Sequence, residues 1–244
     1  MALLSGGGWA HYCRVHKGSI LEIPVELSME EGAAIMEQWC TAYQLLHKVA
    51  HVEKGDTVLI HAAASGVGTA LIQLCNVAGA KSIAVSSTET KLAACAQLGS
   101  FATINYKDHP DFSSLVLEHT GGKGANVILD PVMGQNFNYN LDSIAMDSRW
   151  VLYGSLGGVM IQEANIMKLM KKRGSLLSTT LRTRSDEYKS DLVSSLGKDC
   201  LPLFKSKSLV PKIDKQFTFS SAGEAFQYME NNLNLGKIVI MNDL

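Results

Sequence analysis

The chain has 244 residues, of which 46% are hydrophobic and 18% charged, so it carries apolar material for a sizeable core and is not disordered. A formal net charge of −1, from 22 Lys and Arg against 23 Asp and Glu, argues against a nucleic-acid partner held by a basic surface. No apolar run approaches the roughly 18 residues of a membrane helix, and Met1-Ala-Leu-Leu-Ser-Gly-Gly-Gly lacks the features of a secretory leader, so a cytoplasmic setting without membrane contact is expected.

Residues 1–35 show a glycine triplet, a short strand expected around residues 11–15, and an apolar stretch at residues 20–24. From residue 57 a βα rhythm sets in, and it predicts a parallel α/β sheet. Strands are expected at residues 56–62, 82–86, 102–105, 126–129, 149–153 and 175–181. Between them the pattern predicts helices at residues 67–78, 91–98, 111–119, 137–146 and 166–172. Gly79 and Gly99 supply stops, and Ser87 or Thr88 an N-cap. Past residue 205 come a strand near residues 212–219, a helix over residues 221–231 and a strand at residues 236–240. The expected class is α/β, a doubly wound parallel Rossmann sheet over residues 36–204, interrupting a second module formed by residues 1–35 and 205–244.

Five cysteines, Cys13, Cys40, Cys75, Cys95 and Cys200, stand far apart without a C-x-x-C pair. That spacing predicts reduced thiols and no metal site. Lys171, Lys172 and Arg173 are expected as the solvated end of a helix, where the helix dipole favours cations. His61 is expected to pack in the sheet or to bond a neighbouring loop.

The segment His61-Ala-Ala-Ala-Ser-Gly-Val-Gly-Thr69 lies between the first strand and its helix. A dinucleotide needs a tight turn there, so that its pyrophosphate can approach backbone N–H groups at the helix start. Against G-x-G-x-x-G the three glycine positions fall on Ala63, Ser65 and Gly68. Two are replaced by small residues, and a turn built only for packing remains an alternative. The placement, after a strand and opening a helix at the first crossover, favours dinucleotide binding. An NAD site carries Asp or Glu about 20 residues further on. Here Val85-Ser86-Ser87 stands in its place, and Lys91 follows one helical turn later. Hydroxyls and a cation suit a 2′-phosphate, so NADPH is favoured over NADH. Glu89 counts against this, and Ser87 as a mere helix cap beside a solvated Lys91 is the bland alternative.

Ala62-Ala-Ala-Ser-Gly-Val-Gly-Thr-Ala-Leu-Ile-Gln-Leu74 resembles the nucleotide-binding turn of the zinc-independent quinone oxidoreductases of the medium-chain dehydrogenase/reductase superfamily. Residues 33–46, Lys91-Leu92 with Leu98-Gly99, and residues 104–107 agree with it in order and spacing. So do residues 149–154, 173–176 and 236–239. The resemblance implies NADPH-dependent reduction of quinones or related enones, and a homodimer paired through the edge strand. By position it places Ser65, Gly66, Val67 and Gly68 on the pyrophosphate, and Ser87, Lys91 and Tyr106 around the 2′-phosphate and ribose. It places Thr41 near the nicotinamide carboxamide, Tyr153 and Gly154 at the ligand-binding edge of the sheet, and Lys237 nearby. Core packing for Tyr153 and a solvated strand end for Lys237 stay open. No catalytic residue is assigned; cofactor geometry can drive hydride transfer, and water can supply the proton.

The resemblance implies a GroES-like β domain at the start of the family's chains, of which nearly all, on the order of 80–90 residues, is expected to be missing here. Residues 1–35 and 205–244 are expected to be remnants of that incomplete domain. A catalytically silent NADPH-binding or dimerisation module is therefore the alternative function.

Overall fold

The computed structural model describes residues 1–161 and 163–242. Its contacts divide them into two units. The sheet unit comprises residues 45–64 and 71–179, and the second unit comprises residues 1–44, 65–70 and 180–244. The expected boundaries at 35/36 and 204/205 follow a different division, because residues 36–44 and 180–204 pack with the chain ends.

In chain order the second unit opens with α1 (Met29–Ala33) and α2 (Met36–Tyr43), and a π-helical stretch, Gln44–Val49, follows. Ser28 and Glu31 cap α1 reciprocally. Next comes the alternation β1 (Thr57–Ile60), α3 (Gly66–Ala78), β2 (Lys81–Ser86), α4 (Glu89–Gln97), β3 (Ala102–Asn105) and α5 (Ser113–His119). It continues with β4 (Ala125–Asp130), α6 (Phe137–Ser143), β5 (Ile144–Leu152), α7 (Met167–Lys171) and β6 (Ser175–Ser178). The chain closes with α8 (Asp186–Lys205), β7 (Ile213–Thr218), α9 (Ala222–Glu230) and β8 (Lys237–Met241).

In the sheet unit the six strands run parallel in the order β3-β2-β1-β4-β5-β6. Strand order reverses between β1 and β4, and in open sheets of this kind ligands bind at the carboxyl ends beside that reversal. The inner strands are buried on both faces, so they read as apolar runs without alternation. Leu59, Ile83, Val85, Ile104, Ile128 and Trp150 form one core with Phe112 and Val116 of the α5 region and Phe137 and Leu141 of α6. At the amino end of the sheet, Arg149 donates to Ala50 O, His51 O and Asp56 Oδ2 at 3.0, 2.7 and 2.8 Å. One guanidinium thus ties β5 to the segment that leads into β1.

Several expectations need correction. The helix expected to reach residue 146 ends at Ser143, because Ile144 is already paired with Ala125 and buried. The strand expected around residues 11–15 is absent; Tyr12 and Cys13 there are exposed, and the chain end is held by a bridge from Ala2 to Ile20. β6 stops at Ser178, three residues short of expectation. The twenty-residue α8 lies where no element was expected. Arg173 is exposed as anticipated, yet it makes a two-pronged bond to Asp147.

In the second unit β7 and β8 pair in parallel, with α9 as their crossover. Trp39 of α2 stacks edge-on against Phe204 of α8, with ring centroids 4.7 Å apart. Tyr43 donates to Asp199 at 2.5 Å in the same layer.

Candidate functional site

The turn after β1 is held from within the sheet unit, where Ala63 N donates to Val85 O at 3.0 Å. Ala62 takes a left-handed backbone, φ +49°, in the tight turn that needs it. At the end of β2, Ser86 and Ser87 are both 5% exposed. The cap of α4 is Thr88, whose Oγ1 accepts from Lys91 N at 3.3 Å, so Ser87 is not the helix cap. Lys91 is 6% exposed, which corrects the picture of a solvated cation. Tyr106 N donates to Ser86 O at 3.1 Å and brings Tyr106 beside the same strand end. Glu89 is exposed, and its Oε1 accepts from Asn105 Nδ2 at 3.3 Å. Two serines, a buried lysine and a tyrosine therefore gather where an NAD site would carry a carboxylate.

Asp130, which ends β4, is fully buried, and its carboxylate is saturated. Oδ1 accepts from Val132 N and Met133 N at 2.7 and 3.0 Å, and Oδ2 from Asn140 Nδ2 and Trp150 Nε1 at 3.0 and 3.2 Å. Asn140 Oδ1 in turn meets His61 Nε2 at 2.7 Å, so the partner of His61 lies on the helix α6 and not on the neighbouring loop that was expected. Beside this network Tyr153 N donates to Asp130 O at 3.1 Å. The phenol oxygen of Tyr153 is buried without a partner. Burial first, and then the Asp130 charge, push its pKa up from the ordinary tyrosine value. A Cβ on Gly154 would meet Pro131 O at 3.0 Å, so only glycine lets the two strand ends approach this closely.

The second unit gathers the other expected residues. Ser65 Oγ accepts from Gly68 N at 3.1 Å and caps the first turn of α3. Thr69 Oγ1 donates to Gly66 O at 2.9 Å, and Ser65 bridges Gly236 in parallel. Lys237, which opens β8, lies 3.1 Å through Nζ from Glu37 Oε2 of α2. Thr41, one turn along α2, donates to Glu37 O at 2.8 Å. Gln38 and Asp130 escaped the sequence reading. Asp130 did carry a signal, as an acid closing an apolar strand just before a proline. Among the described residues no group of three or more His, Cys, Asp or Glu is placed to hold a metal ion.

Strand order and turn together define a Rossmann-type α/β protein. The family described as zinc-binding dehydrogenase matches residues 66–196. A 2-haloacrylate reductase from Burkholderia sp is 32% identical over 91% of this chain and 67% of its own length. The quinone oxidoreductase-like protein 2 homolog of Nematostella vectensis is 35% identical over 96% of this chain and 64% of its own. Among solved structures, an NAD-dependent alcohol dehydrogenase superposes with a TM-score of 0.85 at 29% identity, covering 96% of this chain and 65% of that one. A mycobacterial protein complexed with NADPH gives 0.81 at 25%, covering 92% and 69%. The chain belongs to the zinc-binding dehydrogenase family, in its quinone oxidoreductase-type branch among the medium-chain dehydrogenase/reductases. It spans about two thirds of the length of these relatives.

Proposed function

We propose that the chain serves NADPH-dependent reduction of quinones or related enones without zinc. The observation that carries the reading is the end of β2, where two buried serines and a buried Lys91 stand in place of the acid of an NAD site. The cofactor fits the residues present. A Cβ on Gly66 would run into Gln38 Oε1, so the first turn of α3 carries glycine there, and a helix start favours an anion. Ser65, Gly66, Val67 and Gly68 would hold the pyrophosphate, and Lys237 would add a cation near it. Ser87, Lys91 and Tyr106 would hold the 2′-phosphate and its ribose, and Thr41 would lie near the nicotinamide carboxamide. Tyr153 and Gly154 would shape the carboxyl edge of the sheet, where Tyr153 offers a neutral phenol. NADPH, when bound, supplies the hydride for an electron-poor carbon or a quinone carbonyl. The names of the two curated relatives, a haloacrylate reductase and a quinone oxidoreductase-like protein, support an activated alkene or quinone as substrate.

β6 is an edge strand of the sheet, which suits pairing with its twin in a homodimer. Sedimentation of a monomer at micromolar concentration would sink that part of the reading. The main test is calorimetry with NADPH and NADH, followed by NADPH oxidation with an ortho-quinone. We expect NADPH to bind at least about tenfold tighter than NADH, a difference of one charge-assisted contact, and turnover to follow. Binding without turnover would leave a silent nucleotide-binding module; binding of neither cofactor would overturn the reading.

A further inference from the structure

Gln38 of α2 is 1% exposed, and neither its Oε1 nor its Nε2 has a hydrogen-bond partner. A primary amide offers two donors and an acceptor, and burying all of them unpaired is costly. An apolar side chain of equal length would fill the same space without that cost, so packing does not explain the amide. Its place is telling. A Cβ built on Gly66 would lie 2.1 Å from Gln38 Oε1 and 3.5 Å from Lys237 Cδ. The stranded amide therefore sits against the first turn of the thirteen-residue α3, with the stem of Lys237 over the same glycine. The Lys237 ammonium is matched to Glu37, whose side chain is 61% exposed, and so exposed a pair is weak and readily exchanged. The start of α3, the unpaired amide of Gln38 and the stem of Lys237, whose ammonium is exchangeable, thus lie side by side in the second unit. The helix start, the Nε2 end of the amide and the ammonium each attract an anion.

We propose that Gln38 is a ligand of the dinucleotide pyrophosphate. Its Nε2 donates to a phosphate oxygen seated on the first turn of α3. In the cofactor-free chain Glu37 holds Lys237 as the stand-in for that anion, and the lysine swings to the pyrophosphate when the dinucleotide arrives, uncovering the amide. This proposal rests on the reading of the chain as an NADPH-binding protein.

The test is calorimetric titration of NADPH into the unmodified protein, Gln38→Met and Glu37→Gln. Adenosine 2′-monophosphate, which has the 2′-phosphate but no pyrophosphate, is titrated alongside. Gln38→Met keeps the side-chain length and removes both polar atoms. It should weaken NADPH about tenfold, the effect of one hydrogen bond to a charged group, and leave the monophosphate unchanged. Its melting temperature without ligand should stay the same or rise, because a buried unpaired amide has gone. Glu37→Gln, an exposed change that the fold tolerates, should tighten NADPH about threefold by freeing Lys237, with the gain shrinking at high salt. Equal NADPH affinity in the unmodified protein and Gln38→Met overturns the proposal and leaves the NADPH reading intact. A ligand-free melting loss in Gln38→Met, or weaker NADPH binding in Glu37→Gln, also overturns it. Failure of the unmodified protein to bind NADPH removes both.

Discussion

Tyr153, the residue after β5, carries a phenol oxygen that is buried and bonds to nothing among the described residues, while its backbone is anchored to Asp130. A buried hydroxyl without a partner contributes nothing to folding, so Tyr153→Phe should leave stability unchanged or raise it by up to about 1 kcal/mol. NADPH-linked reduction should fall several-fold if the phenol faces the ligand. Calorimetric melting and steady-state rates on one preparation separate the two effects, and a stability loss without a rate change would count against a ligand role. The position of Tyr153 at a strand end was legible in the sequence. Its stranded oxygen was not, because the pairing of an atom depends on what the fold brings near it. Lys91 teaches the same lesson: its charge could be read from the letters, and its burial could not.

Among the elements, the four donors converging on Asp130 join β4, α6, β5 and the turn at residues 132–133. Removing the carboxylate leaves all four without their acceptor at once, and the Asn140 and Trp150 donors are buried. Asp130→Ala should therefore cost at least about 3 kcal/mol, read as a fall in the urea midpoint at unchanged slope. A change under about 1 kcal/mol, the size of a surface substitution, would show that the network relaxes freely. β3 spans the expected residues, and β2 and α3 each begin one residue early, since their apolar runs end at glycines or turns. α6 was overextended because Ile144-Ala145-Met146 continues a helical pattern, and only pairing with Ala125 turns it into strand. α8 was overlooked, although Leu192, Val193, Leu196, Cys200 and Phe204 are buried at helical spacing behind a Ser185 cap.

At the scale of the whole molecule, burial holds four thiols protonated. Cys40, Cys75 and Cys200 are pushed up to about 12 and Cys95 to about 11, from an ordinary value of 9.0. For Cys40 the neighbouring Glu37 charge adds to burial, and for Cys95 the Lys91 charge offsets part of it. The unfolded chain releases these protons near pH 9 and the folded chain keeps them. Stability from this source is complete below pH 9 and is lost as pH rises toward about 12. The loss should reach up to about 1.4 kcal/mol per thiol per pH unit. Urea midpoints at pH 8 and pH 10 check the sign, and an unchanged midpoint would refute it.

The sequence by itself determined the class of fold, the turn that opens α3, the missing acid after β2 and most of the residues that gather around them. Those features are local: an apolar run, a glycine, or a residue type at a set distance along the chain. Tertiary structure decided which polar atoms are satisfied and which are stranded. Gln38 meets Gly66, Lys237 meets Glu37 and Asp130 meets Trp150 only because strands and helices distant in sequence pack together. Whether a buried donor finds an acceptor depends on ångström distances between such segments, and no pattern along one segment carries that distance.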